Sequence, residues 1–288
     1  MPEQLTNDPH LVFHLGLHKT GSSGLQRCVF PHLPGVDYVG RPFRADTLRA
    51  MAEGHERVVL FSNESLAGSL IDAYRCAPRN NWRRRQTEQI RRLGALFPNA
   101  HAIVGFREPH GWLLSIYKHY LRFGGTQTLE NFIHLPGRTG AVLDVEDLLV
   151  SPRLEAVRQA FADRVFPFLY SELRDSPQAL LSDLADFLGT SPPEWERIEA
   201  RTVNEGVNAR QAAVLRHLNR VTGGVGVRGA MSRSRLAVAK LFGRSSAPLA
   251  LPDSLLEHAD ERLTQDWHAL TRNVSKLRGK PIPCAQDR

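Results

Sequence analysis

The chain has 288 residues, of which 42% are apolar and 23% charged, proportions typical of a globular protein with a proper hydrophobic core. Its net charge of +7 favours anionic partners. The three cysteines, Cys28, Cys76 and Cys284, show no C-x-x-C spacing, so we expect neither a disulfide framework nor a zinc site. Because no apolar run approaches the roughly 18 residues of a membrane helix and no signal peptide is apparent, we expect a cytoplasmic protein without an integral membrane segment.

Four nearly continuous apolar runs predict strands at residues 11–17, 57–62, 100–106 and 164–170. Runs of this kind are typical of parallel strands that are covered on both faces. Helical patterns lie between them, at residues 82–97 and in a segment that Pro109 begins and Gly124 ends. This alternation predicts an α/β fold with a central parallel sheet flanked by helices, and ligands at the carboxyl ends of the strands.

The chain becomes mostly helical after residue 170, with helices predicted at residues 176–188, 208–221 and 253–277. Residues 222–248 are rich in Gly, Ser and Arg, and we interpret them either as a mobile loop or lid, or as an ordinary surface insertion. No domain boundary is apparent. We therefore predict a single domain over residues 1–288, with a core at about 11–190 and a helical C-terminal part at about 191–280.

A loop of small residues with one cation follows the first strand and opens a helix. Backbone N–H groups can approach an anion closely in such a loop, and the helix N-terminus adds partial positive charge. A tight strand-to-helix turn without a ligand is the alternative interpretation. Gly16 and Gly21 satisfy G-x-x-x-x-G, but two serines stand where an ATP-binding P-loop has Lys-Ser/Thr. The loop residues are His18, Lys19, Thr20, Gly21, Ser22 and Ser23.

Three more polar residues follow predicted strands at the same sheet edge. Arg107 leaves the third strand and could clamp a phosphate, and Ser115 lies eight residues further on, in the helix. The alternative for Arg107 is pairing with a surface carboxylate. Glu64 follows the second strand and is a candidate general base, although it could also be a solvated loop carboxylate. His18, next to Lys19, is the rival base.

Together these segments resemble the family of sulfotransferases that use 3′-phosphoadenosine 5′-phosphosulfate, across roughly residues 11–280. The sequence Lys19-Thr20-Gly21-Ser22-Ser23 matches the family's Lys-[Ser/Thr]-Gly-[Ser/Thr]-[Ser/Thr] motif. The resemblance implies a P-loop NTPase-like fold in which this loop holds the 5′-phosphosulfate. It also implies that Arg107 and Ser115 hold the 3′-phosphate, and that Glu64 is the base.

The family's Arg-Lys-Gly stretch, which completes the 3′-phosphate site in cytosolic eukaryotic members, is absent here. The expected acceptor is a hydroxyl or amine of a carbohydrate or small metabolite, and neither a metal nor a nucleic acid is expected to bind. Two alternatives remain. A P-loop kinase would need an Asp at a strand end for Mg²⁺, for which Asp144 is a weak candidate. A nucleic-acid-binding module would explain the basic charge, although the arginines are spread along the chain.

Overall fold

The computed structural model describes residues 10–40, 58–75, 81–134, 141–193, 207–223, 230–242, 247–272 and 274–282. The strands within these ranges are β1 (His10–His14), β2 (Val36–Val39), β3 (Val58–Ser62), β4 (His101–Phe106), β5 (Ile133–His134), β6 (Leu143–Asp144) and β7 (Val165–Leu169). Five of them form one parallel sheet in the order β2-β3-β1-β4-β7, and β5 pairs with β6 in a small second sheet.

Helices lie on both faces of the large sheet and beyond its last strand. The first, α1 (Ser22–Gly24), continues as a π-helix (Leu25–Val29) and a 3-10 turn (Phe30–His32). The others are α2 (Leu70–Arg75), α3 (Trp82–Leu96), α4 (Pro109–Arg122), α5 (Leu129–Phe132), α6 (Ser151–Ala160), α7 (Tyr170–Asp175), α8 (Pro177–Phe187), α9 (Ala209–Thr222), α10 (Ala230–Phe242) and α11 (Asp253–Thr271). Two further 3-10 turns lie at Val145–Leu148 and Ser275–Leu277.

The sheet divides the hydrophobic core into two clusters, because successive side chains of a strand point to opposite faces. In β1, Phe13 packs into the cluster shared with α3 and α4, and Val12 packs into the cluster shared with α8. In β4, Val104 packs into the first of these clusters and Ile103 into the second. Both faces of the central strands are thus buried, which explains the nearly continuous apolar runs in the sequence. The predicted α/β fold, a central parallel sheet flanked by helices, is confirmed.

One predicted strand needs correction, and one strand was not predicted. Strand β1 ends at His14, and residues 15–17 belong to the following loop, where Gly16 and Leu17 have positive φ angles of 79° and 33°. The sequence also gave no sign of β2, which lies at the edge of the sheet against β3. Three of the four β2 residues are only half-buried, so this strand lacks the continuous apolar run of a central strand.

The middle of residues 222–248, which we interpreted either as a mobile loop or lid or as an ordinary surface insertion, is the helix α10. Helix α10 packs against α9 through the buried Ala239, and the buried Arg235 donates to Asn219 Oδ1 over 2.6 Å. Composition alone concealed this helix, because the described residues that it buries fully, Arg235 and Ala239, are not the large apolar ones that mark a core-facing stripe. Residues 224–229 and 243–246 lie outside the described residues.

The composition of the chain also led to expectations about disulfides, membrane-spanning helices and metal sites. Cys28 is a free thiol, and Cys76 and Cys284 lie outside the described residues. In the part of the chain that the structure describes, no helix has both the length and the apolar character needed to cross a bilayer. The same described ranges contain no group of three or more His, Cys, Asp or Glu side chains placed to hold a metal ion. Asp144, the weak candidate for Mg²⁺, accepts from the Glu146 N–H and begins a 3-10 turn.

The strand order decides which loops meet. Strand β1 lies between β3 and β4, and β7 lies on the other side of β4. The carboxyl ends of parallel strands share one edge of the sheet, so the segments that follow β3, β1, β4 and β7 are neighbours. These segments carry Glu64, Lys19, Arg107 and Tyr170 in that order across the sheet.

Candidate active site

The loop after β1 has an unusual backbone. Gly16, Leu17, Lys19 and Gly21 all have positive φ, at 79°, 33°, 71° and 98°. Glycine adopts such angles freely, but Leu17 and Lys19 do so at a cost of roughly 1–2 kcal/mol each. Alternating left- and right-handed residues turn successive N–H groups toward one side, which forms a concave anion-binding nest. The surrounding contacts must therefore hold the loop in this shape.

Side chains donate hydrogen bonds to each of the carbonyl groups of residues 16–19. The Thr20 hydroxyl lies 2.7 Å from the carbonyl oxygen of Gly16 and 2.6 Å from that of Leu17. Trp112 Nε1 donates to the His18 carbonyl over 2.7 Å, and Arg107 donates to the Lys19 carbonyl over 3.4 Å. The carbonyl groups are thereby held by the protein itself.

Unlike its carbonyl groups, several backbone N–H groups of the loop form no hydrogen bond with the described residues. Those of Lys19 and Gly21 form no hydrogen bond within the ranges that the structure describes. Gly21 has a φ of 98°, which strains any other residue, and a Cβ there would lie 2.5 Å from Leu173 Cδ2, so that side chain would also have to move. Ser22 is buried and its hydroxyl has no partner in the described part of the chain, and Ser23 is half-buried. The loop thus presents several donors that remain available to an anion.

Arg107 leaves the end of β4 and turns toward the loop. Its guanidinium lies 4.5 Å from the centre of the Tyr170 ring, a cation–π contact. Within the described ranges it forms no ion pair with a carboxylate. The neighbouring Glu108 is occupied in capping α4, where it accepts from the N–H groups of His110 and Gly111 over 2.8 and 2.7 Å. Among the described residues, Arg107 therefore does not show the pairing with a surface carboxylate that was the alternative interpretation.

Helix α4 presents a half-buried stripe to this region. Gly111, Ser115, Lys118 and Arg122 follow a spacing of four, three and four residues, which places them on one face. A Cβ at Gly111 would lie 3.5 Å from Arg107 Nε, so this end of the stripe contacts the guanidinium. Burial lowers the pKa of Lys118, and the nearby Arg107 lowers it further. The sequence interpretation included Ser115 but missed Lys118, whose spacing from Ser115 could have revealed it.

His18 and Glu64 form a pair across the ends of β1 and β3. His18 Nδ1 lies 2.9 Å from Glu64 Oε2, and its Nε2 lies 3.2 Å from both the Leu70 nitrogen and the Gly68 carbonyl oxygen. Both ring nitrogens are thus occupied in a side chain that is only 11% exposed, against 27% for Glu64. A Cβ at Gly16 would lie 3.0 Å from the Glu64 backbone, so only glycine lets these segments approach. His18 therefore orients Glu64, and neither of its ring nitrogens is left free to act as a base.

The charges of this region act on one another. Burial raises the pKa of Glu64, but the His18 hydrogen bond and the charges of His18 and Lys19 outweigh it and hold the pKa below its usual range. Burial lowers the pKa of Lys19, and the cations Arg122 and Arg107 add to this effect while Glu64 opposes it. Glu64 is consequently a carboxylate at neutral pH, and Lys19 has an ammonium that its surroundings destabilise.

Two histidines close to these groups, the buried His14 and the half-buried His119, are neutral. Burial lowers the pKa of His14 to about 4, and its Nδ1 lies 2.6 Å from the Ser62 hydroxyl. Burial lowers the pKa of His119 to about 2, with further contributions from the charges of Lys19, His18 and Arg122. Sequence reasoning missed both residues, because a histidine shows its burial only in the folded chain.

Comparisons with known proteins add little. No family model matches the chain, and no curated protein matches it. Among solved structures it is similar to a sulfotransferase from Alicyclobacillus acidocaldarius, with 17% sequence identity, a TM-score of 0.44, and coverage of 65% of this chain and 84% of that chain. At this distance no shared activity follows from the likeness. The function must be inferred from the residues of this chain.

Proposed function

We propose that this protein is a sulfotransferase that transfers a sulfuryl group from 3′-phosphoadenosine 5′-phosphosulfate to a hydroxyl or amine of a carbohydrate or small metabolite. The observation that carries the proposal is the pairing of two anion-seeking groups on neighbouring strand ends. One is the Lys19 loop with its available N–H groups, and the other is Arg107, which has no carboxylate partner among the described residues. A nucleotide that is phosphorylated at both ends of its ribose fits such a pair.

In this proposal the loop after β1 binds the 5′-phosphosulfate, through backbone N–H groups of His18, Lys19, Thr20, Gly21, Ser22 and Ser23 and the Lys19 ammonium. Arg107 binds the 3′-phosphate together with Ser115. Lys118 lies on the same face of α4, close enough to Arg107 that the charge of Arg107 lowers the Lys118 pKa. It adds a second cation to the site of the 3′-phosphate. It fills the place of the Arg-Lys-Gly contact that the sequence lacks.

The residues of the site also supply the chemistry of transfer. Glu64 accepts the proton of the acceptor group as the acceptor oxygen or nitrogen bonds to sulfur. The bond between sulfur and the bridging phosphate oxygen breaks, and that oxygen keeps the electron pair. Lys19 stabilises the negative charge that develops on this oxygen. His18 holds the Glu64 carboxylate in place through its 2.9 Å contact.

The test is the affinity for 3′,5′-bisphosphoadenosine compared with adenosine 5′-phosphate, measured by calorimetry on the wild type and on Arg107→Gln. Charge-assisted hydrogen bonds contribute about 1.5–3 kcal/mol each, so the wild type should prefer the bisphosphate by at least about tenfold. Arg107→Gln should lose most of this preference. Equal affinities in the wild type would overturn the proposal.

The same titration distinguishes the two alternative functions. Tighter binding of ATP with Mg²⁺ would indicate a kinase, and tighter binding of single-stranded DNA would indicate a nucleic-acid-binding module. Arg92→Gln is a matched control for the loss of one positive charge. Its side chain is 73% exposed and pairs with Glu88 on the outer face of α3, so nucleotide binding should not change.

A further inference from the structure

Trp112 is fully buried in α4, yet it makes a polar contact with the anion-binding loop. It is 1% exposed, and its Nε1–H donates to the His18 carbonyl oxygen over 2.7 Å. The two residues are 94 positions apart in the chain. The bond reaches the peptide between His18 and Lys19, which lies in the centre of the loop.

This bond determines which way the peptide faces. In a trans peptide the C=O and N–H groups point in opposite directions. Because the His18 carbonyl is held toward the core by Trp112, the Lys19 N–H is turned away from the core, to the side where an anion would lie. Lys19 has a φ of 71°, which a non-glycine residue does not adopt without support. Without the indole N–H, the peptide could relax and present its carbonyl oxygen to the anion.

A buried cation keeps the indole in place. The Arg153 guanidinium lies 5.0 Å from the ring centres of both Trp82 and Trp112. It donates to Gln86 Oε1 over 2.8 Å and to the carbonyls of Asp147 and Leu149 over 2.7 and 2.5 Å. Burial lowers the Arg153 pKa to about 9. An arginine held by three such bonds gives the Trp112 ring little freedom to turn.

We propose that Trp112 is a positioning residue that acts through the His18–Lys19 peptide to shape the site for the 5′-phosphate end of the nucleotide. The inference rests on the proposed function. Trp82 provides a matched contrast, because its ring is equally buried and contacts both Trp112 and Arg153. Its Nε1–H, however, has no hydrogen-bond partner in the described part of the chain.

The experiment compares Trp112→Phe with Trp82→Phe. Each variant removes one buried indole and keeps an aromatic ring, but only Trp112→Phe also removes a hydrogen bond, so it should lose somewhat more stability than Trp82→Phe. Calorimetry gives their affinities for 3′,5′-bisphosphoadenosine and for adenosine 3′-phosphate, and the ratio of the two reports the contribution of the 5′-phosphate. We expect Trp112→Phe to lower this ratio by about tenfold, the effect of one well-placed hydrogen bond, and Trp82→Phe to leave it unchanged.

The outcomes separate the inference from the proposed function. A wild-type ratio near one would overturn both, because no 5′-phosphate site would then exist. A large wild-type ratio with equal ratios in the two variants would overturn the role of Trp112 alone. If Trp112→Phe does not fold, the wild type labelled with ¹⁵N at its indoles replaces it. The Trp112 Nε1 resonance should then shift with the bisphosphate and stay in place with adenosine 3′-phosphate, and identical spectra would overturn the inference.

Discussion

Replacing Glu64 with Gln tests the proposed general base most directly. The amide has nearly the same shape, and its carbonyl oxygen can still accept from His18 Nδ1, so the pair that spans 2.9 Å should persist. What is lost is the ability to take a proton. We therefore expect Glu64→Gln to fold normally and to lose turnover.

The groups around Glu64 determine how large the loss of turnover should be. General bases contribute on the order of 10²–10⁴-fold, and a stronger base contributes more. The His18 hydrogen bond and the Lys19 charge hold the pKa of Glu64 below its usual range, which makes it a weak base that is ionised at neutral pH. The expected decrease is therefore at the lower end, about 10²-fold.

Nucleotide binding and pH dependence give two further readouts for this variant. Because the lost charge is negative and close to Lys19, affinity for 3′,5′-bisphosphoadenosine should stay the same or rise slightly. Glu64 raises the pKa of Lys19, so its removal should move the alkaline limb of the turnover profile to lower pH.

The assay is steady-state turnover with an acceptor found by a mass-spectrometric screen for sulfated products, alongside calorimetry of the spent nucleotide. His18→Asn is the control variant. Since both nitrogens of the His18 ring are occupied, this change should lower turnover only through the looser placement of Glu64. Near-normal turnover of Glu64→Gln together with a collapse in His18→Asn would refute the reasoning and make His18 the base.

Two other predictions concern single residues of the site. Lys19→Ala should lower turnover more than affinity for 3′,5′-bisphosphoadenosine, since part of its role belongs to the transition state, and a variant with only a raised KM would contradict this. The pKa of His119 falls from 6.5 to about 2 on folding, so between these pH values the unfolded chain binds a proton that the folded chain does not, and stability decreases as the pH falls below 6.5. In urea unfolding, His119→Asn should therefore reduce the loss of stability between neutral pH and about pH 5 by about 2 kcal/mol, and an unchanged loss would show that His119 is protonated in the folded protein.

Much of the fold could be predicted from the sequence alone. The strands β1, β3, β4 and β7 were recognisable because a strand that is buried on both faces must be apolar throughout. The anion-binding character of the loop after β1 could also be predicted from the local sequence. A backbone can approach an anion closely only where the residues are small, as they are around Lys19. Arg107 and Glu64 were recognised as candidates because each follows a predicted strand directly.

Only the tertiary structure could decide how these residues meet. The contact between His18 and Glu64 depends on β1 lying beside β3, and the position of Arg107 depends on β4 lying on the other side of β1. The strand order follows from how helices pack on the sheet, and no local pattern encodes it. The edge strand β2 and the helix α10 were missed for the same reason, because neighbours rather than local sequence determine their burial.

The loop conformation shows this division most clearly. The residue types between β1 and α1 indicated an anion site, but the positive φ of Lys19 is supported by contacts from outside the loop. Trp112 holds the His18 carbonyl from 94 positions away, and Arg107 holds the Lys19 carbonyl from 88 positions away. The sequence thus determined which groups could bind an anion. The contacts that Trp112 of α4 and Arg107 make with this loop decided which way those groups face, because a strained backbone persists only where distant contacts support it.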